Sequence, residues 1–152
     1  MAKQRLATDW PVAAEKRLRE GILAMGLSLD DATIARLMTF LAGLVKWNQA
    51  FNLTAIRDPL TMVDKHLLDS LSLLPLISAD SLIDIGTGAG LPGYVLALVS
   101  PEQDITLLDS NGKKTRFLKQ MAADMGMARV TVVNARCEEH IGQYAQVCSR
   151  AF

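Results

Sequence analysis

The stretch SLIDIGTGAGLPG at positions 81–93 constrains the chain more than any other. A short apolar run, 82–85, carries one acid, Asp84, and then breaks into Gly86, Gly88, Gly90 and Gly93; after Pro92 the chain is apolar again through 94–99. That pattern predicts a buried strand, a tight loop and a helix. A glycine loop at such a place lets a ligand lie against bare backbone, because no Cβ stands in the way. It is not a P-loop, since no Gly-Lys-Ser/Thr follows. It also departs from the dinucleotide fingerprint, because Leu91 stands where the third glycine should be. A pyrophosphate prefers bare amides at a positive helix end, and an acid such as Asp84 suits a cationic ligand better. A second acid, Asp109, ends the next apolar run, where nucleoside-binding folds of this class hold a ribose diol. Cation plus ribose without phosphate points to S-adenosylmethionine. The alternative is that Asp84 caps a turn and the glycines only permit it.

The chain has 152 residues, the size of one ordinary domain, and half of them are hydrophobic, enough to bury a core. Sixteen basic and sixteen acidic residues cancel, which argues against a DNA-binding module but leaves room for a local basic patch. Cys137 and Cys148 lack metal-ligand spacing, so no metal is expected. No apolar run reaches membrane-spanning length and the first residues lack the apolar core of a signal peptide, so a cytoplasmic protein with no membrane partner is expected.

The first half reads as helical. Thr8 and Asp9 before Trp10-Pro11 predict a capped helix start, Ala14, Leu18, Ile22 and Met25 share one face, and Gly26 stops the helix. Ser28 with Asp31 resembles a capping box ahead of a second helix with Ile34, Leu37, Leu41, Leu44 and Val45. Asp58-Pro59 caps a third. The second half alternates: strands at 82–85, 105–108, 130–133 and 147–150, helices near 91–99 and 113–125, and a short turn near 137–141. Alternation of this kind predicts a parallel α/β sheet. The division expected is a helical region, 1–78, packed on a sheet region, 79–152, in one compact unit.

Three further features bear on function. In KWNQAFNLT (46–54), Trp47 and Phe51 share a helical face that is expected to pack on the sheet, and Asn48 and Asn52 are read as fraying and capping the helix end. His66 and Asp69 stand at i, i+3, where they can touch; without a nearby nucleophile a structural role is favoured over chemistry. Lys113, Lys114, Arg116 and Lys119 sit near a helix start, where the macrodipole does not favour cations. Either they hold RNA phosphates or they form a solvated face.

Taken together, KWNxxFNLT (46–54), HLLDS (66–70), IDIGTGxGLPG (83–93), LLDS (107–110), KxRFL (114–118) and SRAF (149–152) resemble the ribosomal RNA small subunit methyltransferase G family, also called glucose-inhibited division protein B. The resemblance runs from about Leu23 to the last residue. It implies a Rossmann-like S-adenosylmethionine-dependent methyltransferase sheet of order 3-2-1-4 with an N-terminal helical cap. It implies methyl transfer to N7 of a guanine in small-subunit ribosomal RNA, with the RNA or the ribosomal subunit as partner and a monomeric full-length enzyme. By motif match the cofactor contacts fall on Gly86, Leu91, Cys137, Glu138 and Arg150; Asp84, Gly88 and Asp109 join them from the physical argument above.

Guanine N7 carries its lone pair in the ring plane, so the reaction needs no general base, and orientation is expected to dominate catalysis. Arg150, at the carboxyl end of its strand, is the candidate catalytic residue. Two departures from the family pattern stand out. Tyr144-Ala-Gln146 replaces the usual Phe-Asp-Gly, and the family continues with further strands and helices beyond SRAF. The chain is therefore expected to be a fragment, a trimmed piece or a truncated gene product. If it ends at Phe152, its last strand becomes an exposed edge, with self-association and no measurable RNA methylation expected. The rival reading is a non-catalytic cofactor- or RNA-binding module. A small-molecule methyltransferase fits the glycine loop as well, and a nicotinamide oxidoreductase is disfavoured by Leu91.

Overall fold

The computed structural model describes the backbone of residues 2–78 and 80–150 and the side chains from Asp9 onward. Helix α1 spans Ala2–Ala24 with Pro11 inside it, so the start expected at Asp9-Trp10 is not a helix boundary; a cap by Thr8 lies outside the described side chains. Proline lacks one amide donor but its φ is helical, and α1 runs through it. Ala14, Leu18 and Ile22 are buried as their spacing predicts, and Gly26, at φ 73°, ends the helix.

Helix α2, Asp31–Phe51, is capped by Asp30, whose carboxylate accepts from Thr33 N at 2.8 Å, and not by Ser28. Its apolar face of Ile34, Leu37, Phe40, Leu41 and Leu44 is fully buried. Asp58 caps α3, Pro59–Met62, accepting from the Thr61 amide and hydroxyl. The helix then widens into a π-helical turn, Val63–Leu68, before a final α-turn, α4, Asp69–Leu71.

The sheet is parallel throughout, ordered β3-β2-β1-β4, with β1 Ser81–Ile85, β2 Asp104–Asp109, β3 Val130–Asn134 and β4 Gln146–Cys148. Helices α5, Gly93–Val99, and α6, Gly112–Asp124, follow β1 and β2. The strands lie where the apolar runs predict, although β4 ends two residues short of Arg150. Side chains alternate across β1. Leu82 and Asp84 face α5, while Ile83 and Ile85 border a depression of about 560 Å³ that also touches Leu108 and Val147.

The helical region and the sheet share one core. Phe40 of α2 stacks on Tyr94 of α5 with centroids 4.6 Å apart, and Trp47 meets Phe117 of α6 at 5.6 Å. Phe51 touches Trp47 but stays at the exposed edge. Among the described residues no helix is long and apolar enough to cross a membrane.

Candidate functional site

Order reverses between β1 and β4, and in parallel sheets ligands bind outside the carboxyl ends of the strands at that point. The glycine loop leaves β1 there. Its backbone turns through positive φ at Gly86, Gly88 and Gly90, conformations open to glycine without strain.

Asp84 sets the loop's shape from beneath. Its Oδ2 accepts from Thr87 Oγ1 at 2.7 Å and from Gly93 N at 2.8 Å, so one carboxylate closes the loop onto the start of α5. The side chain is 0% exposed and does not line the cleft. The expectation of a direct contact between Asp84 and a cationic ligand is corrected accordingly: α5 and β4 cover the carboxylate, and it acts by holding the loop. Burial pushes Asp84 up to about 6 from 3.8, against hydrogen bonds from Thr87, Gly93 and the Cys148 thiol, while the Asp109 carboxylate adds to the rise. Cys148 pairs with Asp84 in the sheet register. Burial pushes its thiol up to about 12, with the Asp84 charge in support, so it stays protonated.

A raised carboxyl has a definite sign in stability. The folded chain keeps the Asp84 proton over a range where the unfolded chain has lost it. The contribution is complete below the unfolded value and disappears as pH rises through about 6. The span corresponds to about 3 kcal/mol at most. Urea unfolding of wild type and Asp84→Asn across that range should show the wild type losing ground to the variant as pH rises. A difference that stays flat with pH would rule out a protonated Asp84 in the native state.

Asp109 ends β2 and spans two recesses. Its Oδ2 accepts from Gly88 N and its Oδ1 from Asn111 N, both at 2.8 Å, which aims the carboxylate and leaves each oxygen a further lone pair. The first recess, about 410 Å³, is lined by Gly86, Gly88, Leu91 and Asp109 from the sheet side, and also by Arg150, Lys114 and His66. The second, about 250 Å³, is lined by Ile85, Gly86 and Asp109, and by Cys137 and Glu138 in the turn after β3. Gly86 and Asp109 belong to both, so the recesses form two arms of one cleft. Every expected cofactor residue except Asp84 therefore lines one arm or the other. A Cβ placed on Gly88 would meet nothing within 4 Å, so bare backbone faces open space there.

The outer wall of the first arm comes from the helical region, which sequence reasoning did not place at the site. Leu53 and Thr54 follow α2 directly. Asn48, only 2% exposed, pins them: its Oδ1 accepts from Thr54 N at 2.9 Å and its Nδ2 donates to Ile56 O at 3.3 Å. The structural role read for Asn48 thus has a specific form, and Asn52 is the left-handed cap of α2.

His66 and Asp69 do not touch through a hydrogen bond. His66 Nε2 pairs with Thr54 Oγ1 at 2.9 Å, while Asp69 pairs with Arg150 Nε at 3.3 Å. The π-helical turn widens the repeat, so residues three apart no longer stack as they do on an α-helix. Arg150 Nη2 also donates to Lys65 O at 2.7 Å, fixing the guanidinium at the cleft rim. Burial, and then the Arg150 charge, hold the His66 imidazole below its ordinary range.

Asn111 caps α6, accepting from the Lys113 and Lys114 amides. Lys114 turns into the first arm, Lys113 is exposed, and Arg116 with Lys119 lines a separate groove of about 400 Å³. The basic residues are thus split between the cleft and the outer face of α6. Of the SRAF motif, Ala151 and Phe152 lie outside the described residues.

The sequence model of a family described as rRNA small subunit methyltransferase G matches residues 33–152. Ribosomal RNA small subunit methyltransferase G of Marinomonas sp. (strain MWYL1) is 55% identical over 137 residues, covering 89% of this chain and 66% of that protein. The protein of the same description from Marinobacter nauticus is 51% identical over 146 residues, covering 95% and 66%. That from Acinetobacter baumannii is 49% identical over 142 residues, covering 90% and 68%. The chain thus spans about two thirds of the length of the curated relatives it matches. Among solved structures, a coclaurine N-methyltransferase bound to N-methylheliamine and SAH aligns with a TM-score of 0.48 at 14% identity, over 93% of this chain and 50% of that one.

Proposed function

Since the chain belongs to the rRNA small subunit methyltransferase G family, we propose that its two-armed cleft binds S-adenosylmethionine for methyl transfer to N7 of a guanine in small-subunit ribosomal RNA. One observation carries the reading: the two arms meet at Gly86 and Asp109, at the carboxyl ends of the neighbouring strands β1 and β2. The residues present fit the ligand. Open space over Gly88 admits a ligand onto the backbone, and the braced Asp109 carboxylate has lone pairs for a ribose diol. Cys137 and Glu138 border the arm that would take the adenine; in the other arm the Gly86–Gly88 side would take the amino-acid end, with Arg150 at the rim, and the Leu53–Thr54 wall would face the purine to be methylated.

When bound, S-adenosylmethionine supplies an electrophilic methyl on a sulfonium. The chain's part is to orient and to exclude water. Thr87, tied to Asp84, keeps the loop closed, and Leu53, Ala89 and Leu91 give the first arm apolar walls. No residue needs to remove a proton from guanine N7, since its lone pair is free in the ring plane. Lys113, Lys114 and Arg116 would hold RNA phosphates without choosing the base. The reading places the chain with ribosomal subunits in the cytoplasm, with no role for DNA or a membrane.

Isothermal titration with S-adenosylmethionine should give one saturable site, and labelled methyl should enter undermethylated small subunits when the assay uses a form carried on to the length of the relatives. Binding without incorporation would favour the rival, a non-catalytic module. Absence of both would sink the proposal.

A further inference from the structure

Thr54 is held from every side but one. Its amide is tied to Asn48 and its hydroxyl oxygen accepts from Ile56 N at 3.2 Å. The same oxygen lies 2.9 Å from His66 Nε2. His66 is 5% exposed, and its Nδ1 is buried with no partner in hydrogen-bond geometry, although the Lys65 carbonyl dipole favours a proton on the ring. The tautomer that suits both ends carries its proton on Nδ1, and Nε2 then accepts from the Thr54 hydroxyl. Thr54 Oγ1 is left with one lone pair, in a residue that lines the first arm beside Leu53, Ala89 and Leu91.

We propose that Thr54, oriented by His66, accepts the ring N–H on the pairing edge of the purine that receives the methyl group, and so selects guanine over adenine. The inference rests on the methyl-transfer reading above. Guanine offers ring N–H and amino donors on its pairing edge, and proteins read exposed bases on that edge. At that ring position adenine carries a lone pair instead, which repels an acceptor, and its 6-amino group donates from a different place on the edge. Hydrogen bonds in a chain polarise one another, so an N–H made more acidic by charge arriving on the purine binds Thr54 more strongly as His66 accepts behind it. His66 is a positioning residue in this scheme. If the imidazole gains a proton, Nε2 becomes a donor, and Thr54 Oγ1 then spends both lone pairs on Ile56 and His66. The charges facing His66 are Arg150, which opposes that proton, and Asp69, which favours it; Asp109 and Lys114 stand in the same cleft.

The test is an NMR titration of the 152-residue chain with guanosine and adenosine 5′-monophosphates, read at the methyl groups of Leu53, Ala89 and Leu91. Wild type should bind the guanine nucleotide about tenfold more tightly in this arm. The ratio should fall to about one in Thr54→Val and in His66→Phe, persist in Thr54→Ser, and fall in wild type once acid conditions protonate the imidazole. If Thr54→Val fails to fold, His66→Phe and the pH series decide. Equal affinities in wild type, or a ratio unchanged in the variants, would overturn the inference. Loss of the ratio with methyl incorporation intact would overturn it alone, while an intact ratio without incorporation would overturn only the methyl-transfer reading.

Discussion

Gly93→Ala is expected to cost about 2–4 kcal/mol of folding stability, measured by urea unfolding against wild type. An added Cβ would stand 2.4 Å from Leu107 Cδ2 and 2.8 Å from both Cβ and Oδ2 of Asp84. These neighbours cannot withdraw easily. Leu107 is fully buried in the centre of β2, and the Asp84 carboxylate is fixed by Thr87 and by the Gly93 amide itself. Moving α5 away would relieve the clash by breaking the Gly93 hydrogen bond and leaving Oδ2 short of a partner. The contrast is Gly88→Ala, where the new Cβ meets open space and only the left-handed backbone, at φ 59°, resists. That variant should lose about 1 kcal/mol and keep the fold. A Gly93→Ala protein within about 0.5 kcal/mol of wild type would show that Leu107 repacks and that the close approach of α5 to the sheet is dispensable.

Asp109→Ala is expected to weaken S-adenosylmethionine binding by about tenfold to a hundredfold, read by isothermal titration. The substitution acts twice on the proposed site. It removes the acceptors for a ribose diol, and it strips Gly88 N and Asn111 N of their partner, so the loop and the start of α6 lose their mutual brace. Asp109→Asn separates the two effects. It retains one oxygen for a backbone amide but gives up half of the acceptor capacity, and an intermediate affinity is expected. Affinity unchanged in Asp109→Ala would remove Asp109 from the ligand's surroundings and shift the diol elsewhere in the cleft.

Much of the architecture was legible in the residues. Apolar runs located the strands, and glycines located the loop between β1 and α5, because a strand buried on both faces is mostly apolar and a backbone turning through positive φ favours glycine. Asp58-Pro59 marked a helix start for an equally local reason. The chemistry of the cleft was legible to the extent that it depends on strand ends: Gly86, Gly88 and Asp109 are brought together by a parallel register that any such sheet shares.

Tertiary structure decided what depends on packing between distant segments. Asp84 looked like a ligand for a cation, but the covering of α5 and β4 turned it into a buried brace whose charge is disfavoured. The pairing of His66 with Asp69 was predicted from a regular helical repeat, and the π-helical turn cancelled that repeat and sent His66 to Thr54 and Asp69 to Arg150. The wall formed by Leu53 and Thr54 could not be read from spacing, because its position depends on a single buried side chain, Asn48, gripping the chain six residues onward. Sequence determines which groups a segment carries and its local period; where a polar group finds its partner is set by the fold, since a buried donor or acceptor takes whichever partner the packing brings within reach.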